Sequence, residues 1–466
     1  MLLSYDYDVI TGKSDDVYHK TKPQCQPASM PKSWIPSSWK LFPIEQDPNY
    51  PDKCALEYFQ SRLQLYPPLV LASEIRAFKK KLCSVTEGKA FILQGGDCAE
   101  SFDNCRATAI RDFIHTVNQM SGLIQHATNL PIIKIGRIAG QYAKPRSSST
   151  EILNGVELPS YRGEIINGID FNDNSRIPDP HRMINAYHYS SATLNLIRAL
   201  NESEPPNYIY ELNFKSYLGS TEKNHYGPFL KQLLKTSQSI SEGDETTTPI
   251  HISHEALLLP YEESMTKRDS KDNKWYNCSA HMVWVGDRTR DINQAHIEYL
   301  RGIENPIGIK CGLNMTPDML IELIHKLNPV QEHGKIILII RMGADVIKEK
   351  LPPLVKAIQR ENIPVIWMID PMHGNTKNTE KGYKTRDFVD IFNEMIQFIQ
   401  VLKQENAHPG GLHLEMTGED VTECIGGLQE INTNDILYKY RSLCDPRLNR
   451  IQSLELAYLL GEHWHS

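Results

Sequence analysis

The sequence predicts an α/β protein built as a (β/α)8 TIM barrel, with an N-terminal extension and an inserted helical element. Three observations carry that reading. Eight short, β-rich apolar runs recur from Lys89 onward, each followed by polar or glycine residues. The segments between the last five runs have helical spacing, and strand alternating with helix implies a parallel sheet. No phosphate-cradling glycine fingerprint follows the first run, so a closed barrel is favoured over an open doubly wound sheet.

Residues 1–88 read as the extension. They are polar and Pro-rich to about Asp52, with Trp34, Trp39 and Tyr50 as anchors. A helical stretch follows, with Leu69, Val70, Ile75, Phe78 and Leu82 near helical spacing. The barrel is assigned to 89–466. Its expected strands are AFILQGG (90–96), IIKIGRIAG (132–140), PIHISHE (249–255), MVWVGDR (282–288), IGIKCG (307–312), IILIIRMG (336–343), VIWMIDP (365–371) and GLHLEMTG (411–418). Helices are expected over 292–301, 317–327, 345–361 and 386–406. The gap between the second and third strands is too long for one helix. It is read as a helical insertion at about 150–248, with helices near 179–201 and 229–239 and a mobile polar loop at 241–248. The C-terminal segment 445–466 is expected to close the site.

Composition excludes several classes. The net charge is −7 over 466 residues, so neither a nucleic-acid surface nor a membrane surface is an expected partner. No apolar run approaches the ~18 residues a transmembrane helix needs. The acidic start, with Asp6, Asp8, Asp15 and Asp16, argues against a transit peptide, and its apolar piece is too short for a secretory signal. Nine cysteines, an odd number without regular spacing, read as free thiols in a reducing compartment, hence a cytoplasmic protein.

Active sites of such barrels lie at the carboxyl ends of the strands. The residues ending the runs therefore form one candidate set: Cys98 and Glu100; Arg137, Lys144 and Arg146; His254 and Glu255; Trp284, Asp287 and Arg288; Lys310; Arg341; Asp370 and His373; Glu415. Arg137, Lys144, Arg146, Arg288, Lys310 and Arg341 are cationic, against the sign of the whole chain. Lys310 and Arg341 sit within apolar runs, where a buried charge is costly unless paired. Arginine matches phosphate and carboxylate bidentately, so the set suits two anionic groups or more. Salt bridges to barrel carboxylates are the alternative use of each.

A second group, Cys98, His373, Glu415 and Asp445, offers a thiolate, an imidazole and two carboxylates. That donor set suits Mn, Fe, Co or Zn. Each residue also has a plain structural reading. Cys98 fits as a small buried hydrophobe, His373 as a loop histidine, and Asp445, before a proline, as a turn or cap.

Taken together, LQGGDCAESF (93–102), GRIAGQYAKPRS (136–147), SHEALLLPYE (253–262), WVGDRTR (284–290), GIKCG (308–312), RMGAD (341–345), DPMHGNT (370–376), GLHLEMTGEDVTEC (411–424) and CDPRLNRIQSLELAYLL (444–460) resemble class II 3-deoxy-D-arabino-heptulosonate 7-phosphate (DAHP) synthases. The resemblance runs in order from about Trp34 to the C-terminus. It implies metal-dependent condensation of phosphoenolpyruvate with erythrose 4-phosphate, the first step of the shikimate pathway. By the same resemblance the metal ligands fall on Cys98, His373, Glu415 and Asp445, with Mn foremost and Co, Zn or Fe as alternatives. Phosphoenolpyruvate binding falls on Arg137, Arg288, Lys310 and Arg341, beside Trp284 and Asp287. Lys144, Arg146 and Ser147 fall near the second substrate, and Glu255 lines the site. Lys144, Lys310 and Glu255 are the expected catalytic groups.

The resemblance also implies a homo-oligomer, dimer or tetramer, with the segments outside the barrel serving interfaces and feedback sites. Asp287 stands where the family usually has Glu, Ile369 where Cys is common, Ile340 where Thr is common, and Asp420 where Asn is expected. None removes a ligand or a cation. Cys444 adjoins Asp445 and is expected near Cys98, so loss of metal would allow a disulfide; two reduced thiols are the other state. A paralogue of specialised metabolism and a catalytically silent regulatory subunit are the alternative functions.

Overall fold

Eight parallel strands close into a barrel in the computed structural model, which describes residues 33–203 and 249–465. The helix expected near 229–239 and the loop at 241–248 lie outside the described residues. The strands are β1 (Phe91–Gly96), β2 (Ile132–Arg137), β3 (His251–Glu255), β4 (Met282–Val285), β5 (Ile307–Cys311), β6 (Ile336–Ile340), β7 (Ile366–Ile369) and β8 (Pro409–Glu415). Each pairs in parallel with its sequence neighbours, and β8 closes onto β1 with Gly96 opposite Glu415. All eight fall on the eight apolar runs, and most are shorter than the run; six of the runs continue past the strand into the loop, while those of β1 and β3 end with it.

Apart from a single turn at Asp173–Arg176, the α-helices among the described residues are α1 (Lys53–Gln64), α2 (Ala72–Thr86), α3 (Ala107–Thr128), α4 (Arg182–Ser203), α5 (Leu259–Met265), α6 (Ala295–Leu300), α7 (Pro317–Leu327), α8 (Ile347–Arg360), α9 (Phe388–Gln404) and α10 (Arg450–Glu462). Thr316 caps α7, its Oγ1 accepting from Met319 N at 3.3 Å, and Pro317 takes the first turn, where no N–H is needed. None of the helices among the described residues is long and apolar enough to cross a membrane.

The later part of the predicted extension is built into the barrel. Phe78, Leu82 and Val85, on one face of α2, join a buried cluster with Ile92, Ile133, Ile135, Met282, Ile337 and Ile366. Phe78 stacks on His251 with ring centroids 4.3 Å apart. Burying such a ring contributes ~1.5–3 kcal/mol, so α2 seals the amino-terminal end of the barrel. Trp39 and Tyr50 are buried as anchors, and Trp39 Nε1 donates to Glu263 Oε2 at 2.9 Å.

The insertion differs from the helical expectation at its start. Thr150–Leu153 and Val156–Pro159 form an antiparallel hairpin. Its turn is Asn154–Gly155, with φ of 52° and 78°. Two positive φ values in a two-residue loop favour Asn-Gly, whose twist matches the flanking strands. α4 follows and packs on α1 and α3. At the other end of the chain, Asp445 reaches the barrel mouth, while α10 packs outside against α3 and α9.

Candidate active site

The carboxyl ends of the strands surround a cleft of about 270 Å³. Arg137, Lys144, Arg146, Ser147, Glu255, Trp284, Asp287, Arg288, Lys310, Arg341, Cys98, His373 and Asp445 all line it. Glu415 sits beneath, fully buried at the end of β8. The structure adds Lys384 and Gln141 to the lining.

The cations stand in different environments. Arg137, the last residue of β2, donates through Nη2 to Glu415 Oε1 at 3.2 Å and lies over the Trp284 ring, 5.3 Å from its centroid. Lys310 on β5 is ion-paired with Asp370. Burial pushes its pKa down to about 8; the charges of Arg137 and Arg341 add to the shift and Asp370 opposes it. Arg341 donates to Asp287 Oδ2 at 3.2 Å, and Arg290 holds the other oxygen of Asp287 at 2.9 Å. Asp287 thus orients a cation. Arg146 pairs with Glu151 of the hairpin at 2.5 Å. Arg288 is exposed at the rim.

Glu255 ends β3 facing these charges. Its Oε1 has no hydrogen-bond partner among the described residues, and burial raises its pKa. A Cβ at 286 would lie 2.2 Å from that oxygen, so any larger residue there would push the Glu255 carboxylate out of this position.

Cys98, Glu415 and Asp445 bring three ligand atoms within 4.8 Å of one another. Lys144 Nζ lies 2.6 Å from Cys98 Sγ, 2.5 Å from Asp445 Oδ2 and 4.0 Å from Glu415 Oε1, so these donors already hold a positive charge. Burial raises the pKa of Asp445, yet Lys144, Arg386 and His373 together outweigh it and hold the carboxyl far below its usual range. Glu415 Oε2 makes no hydrogen bond, although Arg386 Nη1 lies 2.7 Å away; the contact is close but badly aimed. His373 lies outside the three-residue cluster. Its Nε2 is 3.0 Å from Glu415 Oε1, and its Nδ1 meets Asp370 Oδ2 at 2.7 Å. A thiol, two carboxylates with an oxygen to spare and an adjacent imidazole fit one divalent ion. Cys98 and Cys444 are free thiols, with Cys444 in side-chain contact with Cys98.

Two members of the strand-end set serve the scaffold. Glu100 accepts from the backbone N–H of Ala139, Gly140 and Gln141. His254 is buried against Glu262 at 2.9 Å. Three contributors escaped the sequence reading. Lys384 contacts Asp445 Oδ1 at 2.8 Å, and Arg386 is fully buried beside Glu415. Both sit on a hairpin (Thr376–Asn378 with Lys384–Arg386) too short to show periodicity. The third, His413, lies between two leucines of β8.

The model of the class-II DAHP synthetase family matches residues 34–461. The chain belongs to that family. It is 43% identical over 433 residues to a phospho-2-dehydro-3-deoxyheptonate aldolase of Streptomyces coelicolor, covering 91% of this chain and 96% of that protein. A Neurospora crassa protein of the same name is 42% identical over 460 residues, covering 92% and 94%. A solved structure of the Francisella tularensis aldolase of that name aligns with a TM-score of 0.44 at 16% identity, over 88% of this chain and 96% of that one. Membership makes this chain an enzyme of the DAHP synthase type.

Proposed function

We propose that this chain condenses phosphoenolpyruvate with erythrose 4-phosphate and water, releasing DAHP and inorganic phosphate. The observation that carries this reading is one cleft. Seven cationic side chains (Arg137, Lys144, Arg146, Arg288, Lys310, Arg341, Lys384) meet a thiol–carboxylate cluster there, in a chain of net charge −7.

Two polyanions must approach each other for carbon–carbon bond formation, and fixed cations make that approach favourable. Arg137, Lys310, Arg341 and Arg288 take the phosphate and carboxylate of phosphoenolpyruvate. Lys144, Arg146, Ser147 and Lys384 take erythrose 4-phosphate. C3 of the enol then attacks the aldehyde carbon, water adds at C2, and phosphate leaves by carbon–oxygen cleavage. Lys144, held against Cys98 and Asp445, is assigned the proton transfer to the alkoxide formed from the aldehyde. Glu255, raised in pKa and facing the cations, suits transfer of the proton of the added water. Cys98, His373, Glu415 and Asp445 would hold one divalent ion, which supplies Lewis-acid polarisation when bound. Manganese is the first ion to test; cobalt, zinc and iron suit the same donors. The unpaired thiols among the described cysteines fit a reducing, cytoplasmic setting.

The test is phosphate release with both substrates after chelation, with Mn, Co, Zn or Mg restored one at a time. Release is expected only with both substrates and a metal. No release with any metal would overturn the reading. His373→Ala is expected to lose both metal binding and turnover.

A further inference from the structure

We infer that His413 is a positioning residue, locked as the neutral Nδ1–H tautomer, whose Nε2 lone pair aligns Lys310 and Arg137 for phosphoenolpyruvate. This rests on the proposed function and adds a residue to it.

His413 is fully buried on β8, two residues before Glu415, so strand alternation turns both toward the barrel interior. Lys310 Nζ and Arg137 Nη1 each lie 2.8 Å from His413 Nε2. Both are donors without acceptor capacity. The nitrogen they share must therefore carry a lone pair and no proton.

The far side of the ring reaches the same answer independently. Ser253 Oγ donates to the carbonyl of Gly136 at 3.1 Å, and a carbonyl can only accept. With its proton committed, Ser253 accepts from Gln94 Nε2 at 2.9 Å. That orientation points Gln94 Oε1 at His413 Nδ1, 2.7 Å away, so Nδ1 carries the proton. The chain of donors runs one way, from the two cations through His413, Gln94 and Ser253 to a strand carbonyl. All of these side chains are buried, and each link is satisfied, the condition under which such a network rigidifies a core.

The ring meets Trp284 edge to face, at 5.6 Å and 88°, which fixes its plane. A hydrophobe at 413 would leave two buried cations one acceptor short and free to reorient. A protonated imidazole would place a third positive charge against them.

The experiment compares His413→Gln with His413→Phe. Glutamine reaches about as far as Nε2 and offers a carbonyl oxygen there; phenylalanine fills the volume and offers nothing. Phosphoenolpyruvate alone is titrated calorimetrically into each protein, and KM is measured for both substrates. H413F is expected to raise Kd and KM for phosphoenolpyruvate at least 10-fold while KM for erythrose 4-phosphate stays within 3-fold. H413Q is expected to stay within 3-fold of the parent for both. Equal losses in the two variants, or parallel rises for both substrates, would overturn the inference. Should H413F fail to fold, Gln94→Met serves instead, since it removes the acceptor at Nδ1 and leaves the ring. At least a 3-fold weaker phosphoenolpyruvate Kd is expected, and no change overturns the inference. Failure of the unmodified protein to bind phosphoenolpyruvate would overturn the proposed function itself, which the variant ratios do not test.

Discussion

Two lysines on neighbouring strands are equally buried and sit at opposite ends of the barrel. Lys310 lies within β5 at the mouth and Lys335 just before β6 at the floor, each 5% exposed. Burial lowers both pKa values, to about 8 and about 7 respectively. The neighbours make the difference. Lys335 Nζ donates to the carbonyl of Ile303 at 2.5 Å, with Glu304 and Glu332 shared with Lys79 nearby. Lys310 is held by side chains, Asp370 and His413, and opens on the cleft. A buried ammonium is thus no signature of catalysis by itself; what matters is whether a substrate can reach its donors.

Lys310→Met should have the largest effect. Removing a donor aimed at developing charge costs ~10²–10³ in turnover. Asp370 keeps His373 Nδ1 and the backbone N–H of Met372, so the fold is expected to persist. Turnover within 10-fold of the parent, in a variant with an unchanged circular dichroism spectrum, would place Lys310 with Lys335 as a structural charge.

Phe78→Ala tests the opposite end. The ring is fully buried between α2 and the barrel floor. Its loss should cost ~3–5 kcal/mol in denaturant unfolding while kcat stays within about 2-fold, because its ring partners His251 and His281 do not line the cleft and its buried cluster reaches the cleft only at Trp284. A proportionate loss of kcat would show that the floor shapes the mouth.

A smaller effect separates the lysines by pH. Deprotonation of Lys310 is expected to lower kcat/KM for phosphoenolpyruvate as pH rises through about 8, with Lys310→Arg moving that limb upward. Stability moves the other way. Both lysines are depressed from the ordinary 10.5, so between each folded value and 10.5 the unfolded chain binds the extra proton, and their contribution to stability rises with pH. A pH–rate profile and urea unfolding at pH 7 and 9.5 measure the two slopes.

The same pair shows what was legible in sequence. IGIKCG announced Lys310, because a charge inside an apolar run needs a reason. GKIILII hid Lys335, since a lysine at the start of a run reads as loop. All eight strands were visible as apolar runs, and most of the residues ending them line one cleft, whereas Glu100 and His254 serve the scaffold. His413 was not singled out: an imidazole between Leu412 and Leu414 looks like core, and only the third dimension shows two cations converging on it. Lys384 and Arg386 come from a three-residue strand, below the length at which alternation means anything. Asn154–Gly155 did carry a hairpin signal, overridden by the expectation of a helical insertion. Spacing left the metal cluster open, because ligands from the loop after β1, the end of β8 and the C-terminal segment meet only once the barrel closes.

Lys335→Met is the smallest and most discriminating change. An apolar chain of similar length removes the cost of burying an ammonium. It also leaves the Ile303 carbonyl without that donor, at about 1–3 kcal/mol. Glu304 and Glu332 keep Lys79, and Glu304 keeps Lys274 at 3.1 Å. The opposing terms should leave stability at pH 7 within about 1 kcal/mol of the parent, flatten the rise in stability between pH 7 and 9.5, and leave turnover unchanged. A tenfold loss of turnover in a stably folded variant would mean that the two ends of the barrel are coupled, and that the floor lysine is not the inert counterpart of Lys310.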